Sequence, residues 1–335
     1  MPKVRMRDVA AHAGVSPRTV SNVVTGNVNV SPALRARVQR SLHELGYKMD
    51  YLARGLKSGR TGFIALVVPN LNETFHAQVA DAVTRAAAGR GLGVLVEATD
   101  GDPATELKIM RQGTANVADG VLLHHLGHKQ NVGYLPPAGF PLVVLGQPGL
   151  GAHIDQVGID DVAAARTAVE HLTGRGRRRV VMIGAGFGAT GALRYAGYRQ
   201  ALATAGIRPI RAFTPWGVEA DPPAGKAETD ELLMSQAQPP DAIFAYNSAV
   251  MLGVLRSLSE HGLAVPADVA VIGVDDMPIA PYLRPSLSVI TIDMETMAAR
   301  ALDHLEEQIT APSGTRAPRK EVVPFRLIVR ESTAG

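Results

Sequence analysis

The chain has 335 residues, about two domains at roughly 150 residues per domain, with 46% hydrophobic, 19% charged and 4% aromatic residues. That is enough apolar material for a sizeable core, which excludes disordered and fibrous architectures. With no cysteine, disulfides, thiolate nucleophiles, zinc ribbons and iron–sulfur ligation are excluded.

The net charge of +3 is unevenly placed. Residues 1–60 hold 11 Lys/Arg against 3 Asp/Glu, a net of +8, and the remaining residues hold 23 against 28, a net of −5. A basic head on a mildly acidic body points to a polyanionic partner for the head. No apolar run approaches the ~18 residues that span a bilayer. Asp8 and His12 interrupt what would have to be a signal-peptide core, so the chain is expected in the cytoplasm.

The head reads as short helices with clear punctuation. One covers roughly Met6 to Ala13 and is broken by Gly14; Ser16-Pro17 then gives a hydroxyl cap followed by proline at the first helical position. A second helix runs from Pro17 to about Thr25, and Ser31-Pro32 starts a third that reaches about Leu45. Two helices joined by a tight glycine turn, with a third closing the core, form a helix-turn-helix. In the second helix Val20, Val23 and Val24 face inward, while Arg18, Ser21, Asn22 and Thr25 lie opposite at i, i+3, i+4 and i+7. In a DNA major groove such a face suits base edges, Arg for guanine and Asn for adenine. Thr19 and Ser21 hydroxyls suit phosphates. A solvated polar face on a small bundle is the plainer alternative.

From Thr61 onward short apolar runs alternate with helical-length segments. Strands are expected at Phe63–Val68, Val94–Glu97, Val121–Leu123, Leu142–Leu145, Val180–Ile183, Ala242–Ala245 and Val269–Gly273. Helices are expected at Phe75–Arg90, Thr105–Asn116, Val162–Thr173, Leu193–Ala205, Ala249–His261 and Met294–Ile309. This alternation predicts an α/β body of parallel sheets with helices on both faces, and its length predicts two lobes. Ligands of parallel sheets sit beyond the carboxyl ends of the strands. Asn70, Asn72 and Phe75 follow the first strand there, and Arg194, Asn247 and Asp275 follow later ones. Trp216 lies in a Pro/Gly-rich connection. Amide, guanidinium, carboxylate and aromatic planes together suit a polyhydroxylated ligand. The plainer alternatives are an Arg194–Asp275 ion pair and Trp216 as packing.

The run Arg7-Asp8-Val9-Ala10, Ala13-Gly14-Val15-Ser16 and Thr19-Val20-Ser21-Asn22-Val23-Val24 resembles the N-terminal signature of LacI/GalR transcriptional regulators. The resemblance continues through Val30-Ser31-Pro32, Leu45-Gly46-Tyr47, Ala53-Arg54, Leu56 and Gly59-Arg60-Thr61, and reaches Val329-Arg330-Glu331-Ser332-Thr333. It implies a helix-turn-helix head (1–48), a hinge helix and linker (49–60) and a periplasmic-binding-protein-like effector and dimerisation body (61–335). The body's N-lobe would hold about 61–160 and 292–320, and its C-lobe about 161–291 and 321–335. The DNA-contacting set it implies is Ser16, Pro17, Arg18, Thr19, Ser21, Asn22, Thr25, Ala53, Leu56 and Lys57, with Leu56 wedged into the minor groove of operator DNA unless it is only a linker residue.

The resemblance also assigns effector contacts to Phe75, Arg194, Asn247 and Asp275, and implies a cytoplasmic homodimer acting as a repressor under a small, sugar-like effector. No catalytic residue, metal or cofactor is expected. The chain departs from the family pattern at Met49, Asp50 and Gly55 in the hinge. In the body it departs at Glu73-Thr74, Gly146-Gln147 and Ser248. Gly55 would make the hinge helix depend more on DNA and on its dimer mate, since glycine costs about 1 kcal/mol against alanine in a helix.

Other readings compete. Gly184-Ala185-Gly186-Phe187-Gly188-Ala189 matches a dinucleotide fingerprint, but no acid follows until Glu219. Ala224-Gly225-Lys226-Ala227 lacks the first glycine and the hydroxyl of a phosphate loop. His124, His125 and His128 read as surface histidines, with no carboxylate beside them. A secreted sugar-binding protein could share the body but would need an export signal and no basic head.

Overall fold

Helix α1 (Met6–Ala13) ends where Gly14 takes the left-handed conformation, φ 61°, and the Val15 amide donates back to the Ala10 carbonyl at 3.0 Å. Helix α2 (Pro17–Val24) starts at Ser16, whose Oγ accepts from the Thr19 amide at 3.1 Å. Ser31 caps α3 (Pro32–Glu44) in the same way, accepting from the Leu34 amide. One small core holds the three together: Val9, Ala10 and Ala13 of α1 meet Val20 and Val23 of α2 and Val38 of α3. The computed structural model describes residues 4–24, 30–47, 60–112, 117–125, 140–146, 154–186, 188–210, 220–310 and 317–334. The chain divides into two units, Met1–Thr61 and Gly62–Gly335. The expected hinge residues Met49, Asp50, Ala53, Gly55, Leu56 and Lys57 lie outside the described residues, as do Thr25, His128, Gln147 and Trp216.

The body contains two sheets. The first holds β1 (Phe63–Val68), β2 (Gly93–Ala98), β3 (Val121–His124), β4 (Leu142–Leu145), β5 (Asp155–Gly158) and β10 (Lys320–Val322) in the order β10-β5-β4-β3-β1-β2, all parallel. The second holds β6 (Val180–Ile183), β7 (Ala242–Ala245), β8 (Ala270–Val274), β9 (Ser288–Ile292) and β11 (Phe325–Ile328) in the order β11-β9-β8-β7-β6, with only β11 antiparallel. Helices α4 (Thr74–Ala88), α5 (Pro103–Gln112) and α10 (Met294–Thr310) go with the first sheet. Helices α6 (Asp161–Gly174), α7 (Gly188–Thr204), α8 (Pro222–Ser235) and α9 (Ser248–Glu260) go with the second. The inner strands are apolar runs buried on both faces, as in Leu142–Leu145 and Ala242–Ala245. Parallel strands covered by helices require this, since neither face meets water.

The chain passes between the sheets three times: after β5, after β9, and between β10 and β11. Several features differ from the sequence reading. Helix α8 occupies part of the expected connection, β5 is a strand in spite of its Asp and Gln, β9, β10 and β11 are further strands the sequence reading lacked, and α7 begins at Gly188 rather than Leu193.

Candidate effector cleft and DNA-reading face

On α2, Ser16, Pro17 and Arg18 are exposed, while Thr19, Ser21 and Asn22 are half-buried. The Thr19 hydroxyl lies 2.9 Å from that of Ser16, so the two form one hydroxyl pair at the helix start. The amphipathic division follows from the sequence: Val20 and Val23 sit in the core, leaving Arg18 and its neighbours on the outer side.

Phe75, Arg194, Asn247 and Asp275 come near one another where elements of the two sheets meet. Phe75 is on the first turn of α4, beyond β1. Its ring packs 5.2 Å from that of His124 at the end of β3, and the His76 ring lies tilted 4.9 Å from that of His124. Glu73, just before α4, accepts from the Asn247 side-chain amide at 2.7 Å, an interaction across the two lobes. Asn247 also caps α9, accepting from the Val250 amide at 2.8 Å. A second contact across the lobes runs from Gln78 Nε2 to the Asp276 carbonyl at 2.9 Å. Asn70 accepts from the Glu73 amide at 2.9 Å and so shapes the turn into α4. Asn72 is exposed.

Arg194, on α7, is buried and committed. Its Nε donates to Asp161 Oδ1 at 2.9 Å, its Nη1 donates to the Tyr246 carbonyl, and its plane lies 4.8 Å from the centre of the Tyr246 ring. The carboxylate partner is thus Asp161, the first residue of α6, and not Asp275, which corrects the Arg194–Asp275 ion-pair alternative. Burial is the largest single influence and opposes the Arg194 charge, but Asp161, Tyr246 and Asp275 together outweigh it and raise the pKa.

Asp275 is 5% exposed, has φ 76°, and its Oδ1 is buried with no hydrogen-bond partner. Its amide donates to the Ile290 carbonyl at 2.9 Å, which holds the backbone in this uncommon conformation. Burial pushes the carboxyl up to about 6, pulled back by Arg194 and pushed further by Asp161. Burial also lowers His76 to about 4, only partly offset by a hydrogen bond at the Asn70 backbone. It lowers His124 well below the usual range, helped by the fields of His76, His125 and Arg194. Both imidazoles are uncharged at neutral pH, and the Nδ1 atom of each is buried without a hydrogen-bond partner.

The histidine reading is corrected here. His125 is buried, with its Nδ1 2.9 Å from Glu106 Oε1 on α5. His124 is half-buried against Phe75 and His76. The carboxylate partner comes from 19 residues upstream, out of view in a local reading. Glu73, His76, Asp161 and Tyr246 also join the cleft. Only Glu73 stood out in the sequence, as a departure from the family pattern. Among the described residues no group of three or more His, Asp or Glu is placed to hold a metal ion, and no helix is long and apolar enough to cross a membrane. At the dinucleotide-like fingerprint, the Gly184 amide donates to Glu228 Oε2 at 3.0 Å. A carboxylate therefore stands where a pyrophosphate would need to approach.

The profile for bacterial regulatory proteins of the lacI family matches residues 5–50, and that for a periplasmic binding protein-like domain matches residues 169–333. The HTH-type transcriptional regulator CelR of Thermobifida fusca is 35% identical over 334 residues, spanning 97% of this chain and 96% of its own. A putative transcriptional regulator of the LacI family from Sanguibacter keddieii, known as a structure, is 41% identical with a TM-score of 0.75, over 83% of this chain and 100% of that one. The structure of a CelR–cellobiose complex is 32% identical with a TM-score of 0.72, over 98% of this chain and 100% of that one. A helix-turn-helix head and a two-sheet body, matched along nearly the whole length, establish that the chain belongs to the lacI family of bacterial transcriptional regulators, which are DNA-binding proteins and not enzymes.

Proposed function

We propose that the chain is a cytoplasmic homodimeric repressor of a near-palindromic operator, and that a small sugar-like effector bound between the two sheets controls its operator affinity. The observation that carries this is the meeting of Phe75, Arg194, Asn247 and Asp275 from separate elements, with the buried Asp275 Oδ1 lacking a partner. A buried carboxylate oxygen without a donor is costly, and a ligand hydroxyl would satisfy it. Glu73–Asn247 and Gln78–Asp276 bridge the lobes beside it, so a ligand there acts on the lobe arrangement. To shift that arrangement the effector must bind its two states unequally. The CelR–cellobiose complex supports a carbohydrate as the ligand class.

On DNA, two α2 helices would occupy successive major grooves, using Ser16, Pro17, Arg18, Thr19, Ser21, Asn22 and Thr25. The hinge, with Ala53, Leu56 and Lys57, would sit at the central minor groove. For the dimer, the support is exposed apolar side chains on the described body: Tyr282 is 83% exposed and Ile279 close to it in sequence is exposed too. The test is selection of binding sites from random duplexes with the full chain, followed by a sugar screen for release or tightening of the selected site. An enriched near-palindrome whose binding responds to a sugar is the expected result. No enriched duplex would remove the regulator reading at its first step.

A further inference from the structure

We infer that the cleft selects an uncharged polyhydroxylated ligand, a neutral sugar, over sugar phosphates and sugar acids, and that Glu73 sets this preference. The inference rests on the carbohydrate reading above and narrows it. Three carboxylates converge at the cleft: Glu73 reaches across it to Asn247, Asp161 holds Arg194, and Asp275 is buried with Oδ1 unpartnered. Among the described residues the cation set against them is Arg194. It is already spent on Asp161, on the Tyr246 carbonyl and on the Tyr246 ring. The nearby imidazoles of His76 and His124 add no positive charge, because burial keeps them unprotonated at neutral pH.

An anionic group would therefore face like charges and find no uncommitted cation among the described residues. A hydroxyl meets the opposite situation, since it can both donate and accept. It can donate to Asp275 Oδ1, or exchange hydrogen bonds with the buried Nδ1 atoms of His76 and His124. The aromatic faces of Phe75 and Tyr246 then cover the C–H surface between such groups. Glu73 is the carboxylate that distinguishes this chain. It stands on the lip of α4, its Oε2 is 3.5 Å from His76 Nδ1, and its charge meets any anion entering between the lobes.

Isothermal titration of the full chain at neutral pH tests this with matched probes: cellobiose against cellobionate, and glucose against glucose 6-phosphate. The neutral member of the pair that binds should bind at least tenfold tighter than its charged counterparts. Equal or tighter binding of an anion overturns the inference and leaves a carbohydrate cleft standing. If no probe and no wider panel of neutral and charged sugars binds, the carbohydrate reading itself falls, and this inference with it. Glu73→Gln should shrink the neutral-to-anionic ratio at least threefold. An unchanged ratio in that variant removes Glu73 from its role, and the wild-type panel decides charge selection even if the variant does not fold.

Discussion

Asp275 combines a left-handed backbone with a buried carboxyl raised to about 6. In the unfolded chain an aspartate ionises near pH 4, roughly. Stability is therefore lost as pH rises from about 4 to about 6, and the full loss persists above that range. Asp275→Asn removes the cost. The variant should melt above the wild type at a pH of about 7.5, with the gap closing by about pH 4; a gap of equal size at both pH values would contradict this account. On the DNA side, Arg18→Ala or Asn22→Ala should each relax discrimination at one base pair by about 1–3 kcal/mol while nonspecific binding changes little. Competition with singly substituted operators reads this directly, and full discrimination in both variants would reassign the reading face. Some of these residues were legible because their type betrays a role, as with Arg18 and Asn22. Glu106, Asp161 and Tyr246 were not. Each acts through a neighbour distant in sequence, His125 or Arg194, and nothing local announces such a partnership.

At the scale of elements, α8 and α9 cross closely because glycine permits it. A Cβ on Gly253 would stand 2.0 Å from the Pro222 carbonyl oxygen, and one on Gly225 would stand 2.3 Å from that of Val250. Backbone cannot yield as a flexible side chain does, so Gly253→Ala should destabilise the body by about 1–3 kcal/mol. A urea unfolding midpoint unchanged from wild type would mean that the crossing is looser than this geometry. Elements built from one dominant force were readable, such as the apolar runs of β1, β4 and β7. Others escaped because their signal is a compromise. Helix α8 opens Pro-Pro-Ala-Gly and looks like a connection, yet Asp221 caps it by accepting from the Ala224 amide at 2.8 Å. Strand β5 buries Asp155, whose carboxylate accepts from the Arg319 amide at 2.7 Å and from Gln308 at 3.0 Å. Strand β9 likewise buries Ser288 against Thr333 at 2.7 Å. Buried polar groups satisfied by distant partners do not follow the alternation that sequence patterns rely on.

For the whole molecule, the +8 of residues 1–60 and the −5 of the rest divide at nearly the same place as the two units. The basic charge thus belongs to the helical head and the acidic charge to the two-sheet body. Exposed Tyr282 and Ile279 belong to one short stretch after β8, where solvent alone would favour polar residues. Tyr282→Glu should shift the chain from dimer to monomer in sedimentation velocity at micromolar concentration; an unchanged dimer would place the interface elsewhere. The three chain passages share one anchor. Gln308 of α10 holds Asp155 on β5, and His304 of the same helix lies 2.7 Å from Glu321 on β10. The passage after β9 leads directly into α10 at Met294. The strands concerned are neighbours at the edge of each sheet, β10 with β5 and β11 with β9. The covalent links between the two sheets are thereby gathered at that edge, where a hinge between them would lie. A hinge there would have a set point, and changes in the grip of α10 would retune it without altering the residues of the cleft or of the DNA-reading face.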